Sequence, residues 1–200
     1  MRNRRFEQFR ELLDQLPRPL RILDIGGYEG YWQQRGMAGD PAVDITVLNL
    51  ELTETSASNI HGVKGDATDL AEYSDDAFDV VHSNSVIEHL GTASNQRRMA
   101  AEVQRVGRRY YVQTPAKYFP VEPHVLLPAY EYLPRSLKAK VLTRTGWSKL
   151  GRLSEDDAAA LLTELRLLSR KEFQQLFPDG RLVVERFAGL AKSFTVHNFS

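Results

Sequence analysis

Residues 20–30 run Leu20-Arg21-Ile22-Leu23-Asp24-Ile25-Gly26-Gly27-Tyr28-Glu29-Gly30. The first six form a short apolar run that stops at two glycines. That pattern predicts a buried strand ending in a tight turn. Glycines placed there let a backbone turn approach a ligand that a side chain would block. The motif is not the dinucleotide fingerprint G-x-G-x-x-G. Counting from Gly26, its second and third glycine positions fall on Tyr28 and Tyr31. It is not a phosphate loop either, because no Gly-Lys-Ser/Thr follows. Taken alone, the cluster reads equally as a tight turn.

Upstream, Phe6, Phe9, Leu12, Leu13 and Leu16 recur at helical spacing, and Pro17 and Pro19 close the segment. An N-terminal helix within residues 1–19 is expected. Downstream, Tyr31–Met37 suits one or two helical turns, and Asp44–Leu50 a second strand rich in branched residues. Ser56–Gly65 reads as loop with a short strand near Val63. Phe78–His82 predicts a strand, Ser94–Val106 a helix, and Arg109–Gln113 a strand halted before Pro115. Five prolines and four aromatics follow between Pro115 and Pro134 (Pro115, Pro120, Pro123, Pro128, Pro134; Tyr118, Phe119, Tyr130, Tyr132). This is too apolar for a linker and too proline-rich for regular structure, so residues 115–168 are expected to be an ordered insertion. Ser154 with Asp157, and Ser169 with Glu172, mark two helix starts. Leu182–Phe187 and Ala191–His197 are joined too closely for a parallel crossover and should pair antiparallel. Strands alternating with helices and closed by such a pair predict a single α/β domain over residues 1–200. It is a doubly wound open sheet with helices on both faces and an inserted lid. Ligands of such sheets bind beyond the carboxyl ends of the strands.

Chemistry-bearing residues follow the predicted strand ends. After the second strand stand Asn49 and Glu51. A carboxylate there can accept from both hydroxyls of a ribose, which favours Glu51; strand register favours Asn49. Next comes Gly65-Asp66-Ala67, whose Asp can accept from the exocyclic amine of adenine. Phe78-Asp79-Val80-Val81 then leads into Ser83-Asn84-Ser85-Val86-Ile87-Glu88-His89-Leu90.

This ordered set, from about Leu20 to Thr114, resembles the class I S-adenosylmethionine-dependent methyltransferases of the small-molecule type. The resemblance implies a Rossmann-like, seven-stranded sheet with its last strand antiparallel, and S-adenosyl-L-methionine as cofactor. It implies a cofactor site built from Gly26, Gly27, Gly30, Asn49, Glu51, Asp66, Ala67, Ser83 and Asn84, with Asp24 bracing the loop. Gly26 and Gly30 would approach the methionine part, Glu51 the ribose and Asp66 the adenine. Ser83 and Asn84 would lie beside the sulfonium. Tyr28 stands where the family usually has a second glycine, so its side chain must swing away from the cofactor or partly cover it.

A hydroxyl or amine acceptor also calls for a base, and histidine suits neutral pH. His89, past the fourth strand, and His124, in the insertion, are the catalytic candidates; His82 lies within a strand and reads as structural. Glu88-His89 matches only a fragment of a metal motif in some relatives, and no metal is expected. The segment 117–124 offers a rigid apolar wall with polar handles, suited to setting acceptor specificity. The expected acceptor is a small molecule or a glycan or lipid precursor. The rival expectation is a non-catalytic nucleoside-binding or interaction module on the same fold.

Composition narrows the rest. The 200 residues hold no cysteine, which excludes disulfides, thiolate metal sites and a cysteine nucleophile. Lys+Arg and Asp+Glu both number 26, so bulk charge does not favour nucleic acid, and none is expected as a partner. No run approaches the ~20 apolar residues of a membrane span. Charges interrupt the N-terminus throughout, and a cytoplasmic location is expected. The neutral total hides an acidic stretch, 40–79, and a basic one, 135–152. Both suit solvated faces or opposite sides of a cleft, and the basic stretch also suits weak contact with an anionic surface.

Overall fold

The computed structural model describes residues 2–120, 133–145 and 151–199. Among them, seven strands form one sheet: β1 (Leu20–Ile25), β2 (Val43–Asn49), β3 (Ile60–Lys64), β4 (Phe78–Asn84), β5 (Gly107–Pro115), β6 (Arg181–Phe187) and β7 (Leu190–His197). Their order is β3-β2-β1-β4-β5-β7-β6. The first five are parallel, and β7 runs antiparallel to both β5 and β6. Strand order reverses between β1 and β4, and the crevice outside their carboxyl ends is the switch point of the sheet.

The four apolar residues of β1, two on each face, have a direct cause: both faces of the strand are covered. Leu20 and Ile22 pack under helices α1 (Arg2–Leu13) and α2 (Glu29–Gln33), against Phe6, Phe9, Leu13 and Trp32. Leu23 and Ile25 face the other side, where α3 (Ala93–Val106) supplies Met99 and Val103. Asp24 falls on the α1/α2 side by the same alternation.

Several boundaries differ from the sequence expectation. Helix α2 begins at Glu29 and ends at Gln33, ahead of the expected Tyr31–Met37. Extended backbone at Tyr28 starts it, and Gly36 at φ +70° turns the chain out of it. Strand β5 runs through Pro115. The missing N–H costs nothing there, because pairing with β4 has already stopped at Gln113. Helix α3 is capped by Thr92, whose hydroxyl accepts from the Asn95 N–H. The hairpin of β6 and β7 turns on Ala188 and Gly189, at φ +48° and +81°, the left-handed pair of a two-residue turn.

After β5 the chain leaves the sheet and returns beside its point of departure. Ala116 bridges Leu168, and the Lys117 N–H donates to the Leu168 carbonyl. Between them, α4 (Arg135–Arg144) and α5 (Glu155–Glu164) share a small apolar cluster around Leu142 and Ala158. Both expected caps form. Ser154 accepts from the Asp157 N–H, and Ser169 with Glu172 makes a reciprocal capping box at the start of α6 (Arg170–Leu176). Acids of the 40–79 stretch pair with Arg21, His61, Lys64, Arg105 and Arg108, Asp79 lying between Arg21 and Arg108. No helix among the described residues is long and apolar enough to cross a membrane.

Candidate active site

An open hollow of about 730 Å³ lies at the carboxyl ends of β1, β2 and β3. Gly26, Asn49, Glu51, Asp66, Ala67 and His89 all border it. Six residues from four separate stretches of sequence therefore meet at the switch point of the sheet.

Each wall has a local cause. Gly26 sits at φ +72°, and a Cβ there would overlap the Val86 side chain, so the turn needs glycine twice over. Gly27 leaves room for the Asp24 carboxylate packed against it from below. That carboxylate is buried and fully engaged: Trp32 Nε1 donates to Oδ2 at 2.8 Å, and Oδ1 lies 2.7 Å from His82 Nδ1. A carboxylate can only accept, which places a proton on Nδ1 of His82. His82 Nε2 then faces the Tyr31 hydroxyl at 3.5 Å. Burial pushes the Tyr31 phenol up to about 12, so it stays protonated at neutral pH.

The two polar residues after β2 divide the work. Asn49 donates its amide protons to the Gly27 carbonyl at 2.9 Å and to Thr53 Oγ1 at 3.2 Å, tying the glycine turn to the loop after β2. Glu51 meets only Lys64, at 3.2 Å, and its side chain is 88% exposed at the hollow. Leu50 and Leu52 are also exposed at its mouth. Asp66 Oδ1 accepts from the Thr68 N–H at 2.8 Å, which folds the turn after β3. Glu29 holds the loop after β2 from the other side, accepting from the Ser56 N–H, Ser56 hydroxyl and Ala57 N–H. Those hydrogen bonds, led by the Ser56 N–H, hold its carboxyl below the usual range.

Beyond β4 the backbone is strained at Ser85, φ +60°, whose hydroxyl donates to Gln113 at 3.0 Å. Glu88 is buried and accepts from the Thr114 hydroxyl at 3.1 Å. Its carbonyl takes the Arg166 N–H at 2.7 Å, so the returning end of the insertion is stitched to this turn. Glu164, at the end of α5, reaches the rim of the hollow.

Other sequence candidates lie elsewhere. Ser83 is fully buried below the rim, with no hydrogen bond to its hydroxyl. The Asn84 side chain turns toward α1 and accepts from Arg5 Nη1 at 2.9 Å; Arg5 also pairs with Glu185 at 2.9 Å. Gly30 lies under the ring of Tyr28, which is 55% exposed and stands on the α1 side of the glycine turn. His124 lies outside the described residues. Sequence reasoning missed Trp32 and Arg5, and read His82 as structural without finding its bond to Asp24. Nothing in the local pattern marks any of these contacts.

A seven-stranded sheet of this order, with a glycine turn after β1 and acids after β2 and β3, defines a class I methyltransferase fold. Residues 25–109 match the family described as a methyltransferase domain. The strand order is that of the S-adenosylmethionine-dependent methyltransferase fold, and the matched segment runs from the end of β1 into β5. Similar solved structures include a SAM-dependent methyltransferase from Methanosarcina mazei, 14% identical, covering 93% of this chain and 94% of that one at TM-score 0.54. Another is a SAM-dependent methyltransferase from Aquifex aeolicus, 13% identical, covering 94% and 87% at TM-score 0.52. A third is the 1,6-didemethyltoxoflavin-N1-methyltransferase of Burkholderia thailandensis with bound 1,6-didemethyltoxoflavin and S-adenosylhomocysteine. It is 14% identical, covering 94% and 74% at TM-score 0.56. Among curated protein sequences, none matches the chain.

Proposed function

We propose that this protein is a methyltransferase that holds S-adenosylmethionine in the hollow beside Gly26 and transfers its methyl group to a small molecule or a glycan or lipid precursor. The observation that carries this reading is that Gly26, Glu51 and Asp66 border one hollow large enough for a nucleoside. The donor set suits the group: carboxylates for ribose hydroxyls and an adenine amine, apolar Leu50 and Leu52 for a flat base, and a turn free of side chains at Gly26.

When bound, the cofactor supplies a methyl group already activated on a sulfonium. The chain's task is to align an acceptor with it and exclude water. In this reading Glu51 accepts from the ribose and Asp66 from the adenine amine. Gly26 and Gly27 keep the turn bare for the methionine part, Gly30 gives room to the Tyr28 ring beside it, and Asn49 fixes the turn through the Gly27 carbonyl. Ser83 and Asn84 close the end of β4. Ala67 adds a small apolar wall. His89, on the rim, removes a proton from a hydroxyl or amine acceptor, with His124 as the further candidate base in the insertion. The insertion, residues 115–168, acts as the lid that excludes water.

Titration calorimetry with S-adenosylmethionine and with its demethylated product tests the reading. Saturable heat from both, weakened by Glu51→Ala and by Asp66→Ala, is the expected result. No heat at high ligand concentration, or binding that both variants leave intact, overturns it.

A further inference from the structure

A second hollow of about 560 Å³ lies across the glycine turn, between α1 and α2, with Asn84 at the end of β4 as one of its walls. Tyr28 belongs to this hollow and Gly26 to the first, so the turn 26–30 separates the two. Its walls combine aromatic rings, Tyr28 and Tyr31, with two cations, Arg10 and Arg35, and one acid, Glu7.

Arg35 is held ready. Its guanidinium lies on the Tyr31 ring at 3.6 Å and within 4.9 Å of the Phe6 ring centre, and Nη1 donates to the Tyr31 carbonyl at 2.7 Å. Nε is buried and makes no hydrogen bond. Among the described residues, no carboxylate pairs with Arg35 or with Arg10. By contrast Arg5, deeper in the same wall, is spent on Asn84 and Glu185. A planar donor fork fixed by stacking, with donors to spare and no carboxylate bound to it among the described residues, suits an oxyanion. It lines the α1–α2 hollow and is absent from the walls of the hollow on the Gly26 side. That separation favours the acceptor over the cofactor's own carboxylate as its ligand.

We infer that the α1–α2 cleft receives the methyl acceptor, and that Arg35 there binds a carboxylate or phosphate group on it. This rests on the reading that the cofactor occupies the hollow on the Gly26 side.

The full chain, labelled with nitrogen-15 in arginine, gives a direct test. The Arg35 Nε–H resonance is assigned by its loss in Arg35→Lys. Sodium acetate and inorganic phosphate are titrated separately at constant ionic strength, with S-adenosylhomocysteine present. The expected result is a saturable shift of Arg35 with at least one probe, the one that responds naming carboxylate or phosphate. A shift that stays linear, as for the exposed Arg108, overturns the inference. So does a shift produced by S-adenosylhomocysteine, but not by methylthioadenosine, that blocks both probes, because Arg35 then holds the cofactor's carboxylate. Calorimetry on the same sample separates the two readings. Absence of heat from S-adenosylhomocysteine with a saturable Arg35 response removes the proposed cofactor site and leaves the anion site standing.

Discussion

His82 and Asp24 are direct neighbours across β4 and β1, and His82 Nδ1 lies 2.7 Å from the Asp24 carboxylate with both side chains buried beneath the glycine turn. Trp32 Nε1 donates to the other oxygen of the same carboxylate at 2.8 Å. One acid thus ties β4, β1 and α2 together at the floor of the site. Asp24→Ala strands two buried donors at once. It should destabilise the fold by about 3 kcal/mol or more, read as a lower urea midpoint at unchanged slope. A loss under about 1 kcal/mol would show that these bonds do not hold the centre of the sheet to α2.

Gly26 combines a left-handed backbone with a site already filled by Val86. Gly26→Ala should cost more than about 1 kcal/mol, since both strain and overlap oppose it. Adding Val86→Ala should relieve the overlap but not the strain. Partial recovery in the double variant, followed by thermal unfolding, is the expected pattern. Full recovery would mean that the backbone conformation is not restrictive.

Glu51 is exposed and paired only with Lys64, so its removal should leave unfolding unchanged within about 0.5 kcal/mol. Its effect should fall on the cofactor. Losing a charged hydrogen-bond acceptor costs about 1.5–3 kcal/mol, which corresponds to roughly 10- to 150-fold weaker binding of S-adenosylmethionine for Glu51→Ala. The paired stability and calorimetry measurements distinguish this from a folding defect.

The capping box of α6 makes an acid-sensitive element. Burial by itself raises the Glu172 pKa, but the Ser169 hydroxyl, the Ser169 N–H and the Arg166 guanidinium outweigh it and bring the carboxyl down to about 2. A depressed pKa stabilises the folded state fully above the ordinary glutamate value of 4.5, and the contribution fades as pH falls toward about 2. Glu172→Gln should therefore be less stable at neutral pH and lose less stability between pH 5 and 2. Circular dichroism melts across that range check it, and parallel curves for both proteins would refute it.

Local pattern sufficed for the strands, because a strand covered on both faces carries apolar residues on both, as Leu20, Ile22, Leu23 and Ile25 do, and for the caps at Ser154 and Ser169, whose partners lie three residues away. It also placed an antiparallel last pair, since two residues cannot carry a parallel crossover. Those signals act over a few residues, where chain geometry alone decides what can meet. The glycine turn and the acids after β2 and β3 were legible too, as an order along the chain. What needed the tertiary structure was which of them share a space. Asn49 and Glu51 sit two residues apart in sequence, yet one is consumed by the Gly27 carbonyl while the other faces the hollow. Asp24 finds His82 58 residues away, and Arg35 is set on the Tyr31 ring and beside Phe6, which comes from α1. Pairing at such separations depends on strand order and side-chain packing, and no local preference encodes either one.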